Sequence, residues 1–68
     1  MEQFIEVTEG VTKLINLSSV LYVEKGQYDN AILHMKYTPD IHCKETYEEI
    51  ERRIKNASII TTCEWRTN

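Results

Sequence analysis

This chain has little of what small stable domains usually lean on. Two cysteines can form at most one disulfide, so a disulfide framework is excluded. One proline and two glycines, scattered and unrepeated, exclude collagenous, linker-like and Gly-rich phosphate-loop chemistry. No apolar run approaches the roughly 20 residues that a membrane helix needs. Met1-Glu2-Gln3-Phe4 lacks a basic start and a long apolar stretch, so no signal peptide is expected. Together these absences point to a reducing cytoplasm with both cysteines as thiols. On that expectation the Asn56-Ala57-Ser58 sequon is incidental.

Charge of one sign is also lacking. Eleven acids against eight bases leave −3, too mild for a nucleic-acid mimic and against the clustered lysine and arginine that non-specific nucleic-acid binding requires. No membrane partner is expected. Sixty-eight residues make a single small domain, 1–68. A chain this short buries only about 60% of the surface its unfolded form exposes, so a partner subunit is the natural supplement to its core.

What is present is a helix with its own start signal. In Thr46-Tyr-Glu-Glu-Ile-Glu-Arg-Arg-Ile54, Thr46 and Glu49 have capping-box spacing, and Tyr47, Ile50 and Ile54 fall on one stripe. Glu48, Glu49 and Glu51 precede Arg52, Arg53 and Lys55, an order that complements the helix dipole. It also permits Glu48–Arg52 and Glu51–Lys55 pairs. Asn56 is a candidate left-handed stop.

Before the helix the chain reads as short strands: 4–8, 13–17, 20–24, 31–37 and 41–45. Gly10, Ser18-Ser19, the 25–30 loop and Thr38-Pro39-Asp40 separate them. The 20–24 run is the most apolar and reads as the central strand. Alternation places Ile5, Val7, Ile15, Leu17, Leu21, Val23, Leu33, Met35, Ile41 and Cys43 on the helix-covered face. Phe4, Tyr22, Ile32, His34, Lys36 and His42 then point outward, a mixed face that a monomer would leave exposed. After the helix, 58–65 is β-prone and reads as a sixth strand or an arm. The expected fold is α+β: a small antiparallel sheet of four or five strands covered by one helix (core 4–57), with a further C-terminal strand at 58–68.

Leu14-Ile-Asn-Leu17, Val20-Leu-Tyr-Val-Glu24, Asn30-Ala-Ile-Leu-His-Met35 and Cys43-Lys-Glu-Thr-Tyr-Glu-Glu-Ile50 together resemble the FlbD/SwrD family of small bacterial proteins. That family carries a Leu-Asn, Ile-Glu-x-Ile, Thr-x-Ile-x-Leu, Val-Lys-Glu-Ser-x-Glu-Glu-Val progression. The resemblance covers Phe4 to Ile54 and is sharpest at Lys44-Glu45-Thr46 with Glu48-Glu49-Ile50. It implies the sheet-plus-helix fold and a flagellar association. Thr38-Pro39-Asp40 stands where the family has an Asn-Gly hairpin. Asn16 to Ile54 is also similar to the central part of LytTR DNA-binding domains, through Val20-Leu-Tyr-Val-Glu24 and a helix preceded by a strand. The later His-Arg-Ser segment of those domains has no counterpart here.

The residues do not assemble a catalytic constellation. His42 and Cys43 are neighbours in a strand and point to opposite faces, so they cannot pair as base and nucleophile. His34, His42, Cys43 and Cys63 lack zinc-site spacing. No enzyme activity, cofactor or metal is expected.

Tyr22, Tyr28, Tyr37, Tyr47 and Trp65 are many large rings for so short a chain, and Tyr and Trp are common interface anchors. The leading expectation is a non-enzymatic binding or assembly module that forms a homo-oligomer and sequesters a protein or a small ligand. Its interface or ligand candidates are Tyr22, Tyr28, His34, Lys36, Tyr37, His42, Trp65 and Arg66. Two alternatives stand beside it: a small LytTR-like nucleic-acid-binding regulator, and a phage-type accessory protein that inhibits a host system.

Overall fold

The computed structural model describes the backbone of residues 3–66 and the side chains of residues 3–57. The order is β1 (Phe4–Glu9), β2 (Val11–Asn16), a 3-10 turn (Leu17–Ser19), β3 (Val20–Lys25), β4 (Asn30–Met35), β5 (Ile41–Thr46) and α1 (Tyr47–Arg66). The fold is α+β, with five strands and one helix among the described residues. The strands form two antiparallel sheets, β1-β2 and β3-β4-β5.

The first hairpin turns at Gly10, flanked by the Glu9–Val11 pair. Gly10 sits at φ +73°, a conformation that side chains rarely adopt. Asn16 closes the next bend, its Oδ1 accepting from the Ser18 amide at 3.0 Å and the Ser18 hydroxyl at 2.8 Å. Asp29 takes φ 65° in the β3–β4 loop. Its carbonyl accepts from the Tyr47 amide at 2.8 Å, tying that loop to the helix start.

The core is Ile5, Val7, Ile15, Ala31, Leu33, Ile41, Cys43 and Ile50, with Leu17, Val20, Val23, Met35 and Ile54 packed against it. Nine of the ten residues assigned inward by alternation are buried or packed on the core. Leu21 is the exception, 61% exposed. A register shift between Val20 and Tyr22 is the cause: the bulge turns Val20 and Val23 inward and Leu21 out. β3 is not central either. β4 lies between β3 and β5, and β3 is an edge whose apolar run includes two exposed residues, Leu21 and Tyr22.

The helix starts where expected: the Glu49 amide donates to Thr46 Oγ1 at 3.1 Å. Glu51 and Lys55 pair at 3.1 Å. Glu48 does not pair with Arg52. It reaches Lys25 on β3 at 2.9 Å, and Arg52 pairs with Glu49 at 2.8 Å.

The expected C-terminal strand is corrected, because 58–66 continues α1. Asn56 does not stop the helix, since Asp29 is the sole non-glycine residue of positive φ among those described. A nucleated helix extends at little cost per residue, whereas an isolated β-prone segment has no ladder partner to reward it.

Candidate binding surface

β1 and β5 lie side by side yet belong to different sheets. Carboxylates bridge the junction. Glu45 on β5 accepts from the Thr8 amide and the Thr8 hydroxyl, both at 2.9 Å. Glu9 on β1 accepts from the His42 amide at 2.8 Å and holds Lys13 at 2.9 Å. Arg53 braces the junction from the helix, donating to the Glu6 carbonyl, to Glu45 at 3.3 Å and to Glu49 at 3.2 Å.

Burial acts to raise the Glu45 carboxyl. The Thr8 amide, the Glu45 backbone, the Thr8 hydroxyl and the Arg53 charge outweigh it, and the net shift is downward. Glu9 is also held low, first by the Lys13 bond and then by the His42 amide.

The outer face of the three-stranded sheet beside this junction carries three of the eight candidates. Tyr22 on β3 pairs with His34 on β4, and the rings stack with centroids 4.2 Å apart. His34 Nε2 meets Glu24 Oε1 at 2.7 Å, and Nδ1 meets Asp40 Oδ2 at 3.2 Å. Ile32 pairs with His42, which places His42 diagonally from His34 on the same face. The structure therefore brings Tyr22, His34 and His42 to one surface.

It does not bring the tyrosines of the loops together. Tyr28 precedes β4 and Tyr37 follows it, so they stand at opposite ends of that strand, each highly exposed. Lys36 is exposed beside Tyr37, its amide donating to the Ser19 carbonyl at 2.9 Å. The side chains of Trp65 and Arg66 lie outside the described residues.

Glu24 and Asp40, the two carboxylates on His34, were not singled out from sequence. Only the strand register, which sets Glu24 and Asp40 about the ring, makes them legible. Outside this face, Phe4 and Leu14 are diagonal neighbours on the outer side of β1-β2, and both are exposed.

Cys43 and His42 do face opposite ways, the first buried and the second exposed. Burial, then the nearby Glu45 and Glu9 carboxylates, push the Cys43 thiol up to about 11, which keeps it protonated at neutral pH. Among the described residues no three His, Cys, Asp or Glu side chains gather as a metal site would require, and no helix is long and apolar enough to cross a membrane. An apolar recess of about 130 Å³ opens between β3 and α1, lined by Val23, Tyr47, Glu51, Ile54 and Lys55.

The chain has no significant match among protein-family models, curated proteins or solved structures.

Proposed function

We propose that this protein is a non-enzymatic binding and assembly module that works as a homo-oligomer, its edge strands and outer sheet faces forming the contact. The observation that carries this reading is that both free edge strands expose a leucine. Among the described residues β2 pairs only with β1, and β3 only with β4. Leu14 on β2 is 68% exposed and Leu21 on β3 is 61% exposed.

Unpaired strand edges with apolar side chains are association surfaces unless something covers or blunts them. Lys13 and Lys25, which blunt an edge when free, are instead engaged by Glu9 and Glu48 at 2.9 Å each. A second copy covering these edges would bury Leu14, Leu21 and Tyr22 and enlarge a core to which eight of the described residues belong as buried side chains.

Sedimentation velocity tests the proposal. The expected result is a concentration-dependent oligomer that the Leu14→Lys, Leu21→Lys double variant converts to monomer, with its far-ultraviolet circular dichroism retained. A variant that keeps the wild-type mass would show that these edges are not the contact.

A further inference from the structure

We propose that His34 is an acid-closed clasp that holds the β4–β5 loop against the three-stranded sheet, so that protonation of one imidazole governs how the loop presents Tyr37.

The geometry is a ring engaged on both nitrogens by acids from two different elements. Glu24, on β3, meets Nε2 at 2.7 Å, and Asp40, at the end of the β4–β5 loop, meets Nδ1 at 3.2 Å. Carboxylates are acceptors only, so each contact needs a proton on the ring nitrogen it meets. A neutral imidazole carries one N–H and can satisfy one acid, while its other nitrogen turns a lone pair toward the second. The imidazolium carries two and satisfies both. Full closure therefore requires the protonated ring. Tyr22 stacks on the imidazole, and the His34 side chain is 20% exposed, so the ring stays in place while its bonds change.

The two contacts differ in what they hold. Glu24 sits on a strand already paired with β4. Asp40 sits beyond the last ladder pair of β4 with β5, Leu33–Ile41. At the other end of this loop the Lys36 amide bonds the Ser19 carbonyl at 2.9 Å. The Asp40 contact is thus the clasp at the loop's far end, and it is the longer of the two. On deprotonation the ring keeps its N–H on Glu24, and the lone pair on Nδ1 repels Asp40. The loop between the two anchors carries Tyr37, 84% exposed.

The other charged or titratable groups around the ring are few. Glu24 and Tyr22 face it from β3 and Asp40 from the loop. His42 stands diagonally on β5, and Lys36 follows two residues along its own chain. Glu24 and Asp40 are the acids in contact with the ring.

Amide hydrogen exchange of Lys36 and Ile41, the residues that bound the loop, corrected for intrinsic rates, tests this on the full chain between about pH 5 and pH 8. Protection should fall about two- to fivefold as pH rises, the factor that a surface ion pair commands. His34→Gln and Asp40→Asn should each abolish that pH dependence while leaving the protection of the β1-β2 amides unchanged. A flat wild-type profile would overturn the proposal. So would a pH dependence that survives in either variant.

Discussion

Glu45 holds Thr8 at two points, its oxygens accepting the Thr8 amide and hydroxyl at 2.9 Å each. A side chain thereby does between β1 and β5 what a backbone ladder does within each sheet. The Glu45 side chain is 14% exposed, so water competes weakly for these bonds.

Replacing Glu45 with alanine removes both acceptors and leaves the Thr8 amide partly buried without its partner. The expected loss of stability is about 1–3 kcal/mol, measured by urea unfolding. A loss under roughly 0.5 kcal/mol, the usual range for surface substitutions, would mean that the Glu45–Thr8 bridge does not hold the two sheets together.

Acid should open the same junction. Glu45 and Glu9 both titrate below the ordinary 4.5 in the folded protein. The unfolded chain therefore binds more protons than the folded one in the window between the two values. The stabilisation is present above the ordinary carboxylate range and is lost as pH falls through the lowered values. The urea midpoint should drop between about pH 5 and pH 2, and Glu45→Gln should flatten part of that drop. An acid limb identical in the variant would remove Glu45 as its cause.

Thr46 caps the helix through the Glu49 amide. Thr46→Ala should cost about 1 kcal/mol in unfolding free energy, and Thr46→Ser should restore most of it. An unchanged unfolding curve for the alanine variant would place the working start of α1 elsewhere.

Thr61 lies inside α1, where the sequence alone suggested a strand. Proline in a helix interior costs about 3 kcal/mol, so Thr61→Pro should reduce the far-ultraviolet helical signal. An unaltered signal would return 58–66 to the strand reading.

Where the sequence was legible, the reason was local. The cap at Thr46, the turn at Gly10 and the inward alternation at Ile5-Val7, Leu33-Met35 and Ile41-Cys43 are each set within a few residues. Leu21 escaped because a bulge shifts the period by one, which no alternation count reveals. The 58–66 segment escaped because Ile59, Ile60, Thr61 and Thr62 favour strands only when a strand partner exists. Glu24, Asp40 and the Glu45–Thr8 bridge escaped because they join residues that only the register and the tertiary fold bring together. Of the surface candidates, Tyr22, His34 and His42 were found together from alternation, whereas Tyr28 and Tyr37 were separated by the length of β4.

Native mass spectrometry of the purified protein at low micromolar concentration, with no ligand added, reads self-association directly. The expected result is a dimer or larger species, with any additional mass marking a retained ligand. A clean monomer at every concentration would contradict assembly and would show that the apolar core and the carboxylate bridges suffice for one chain alone.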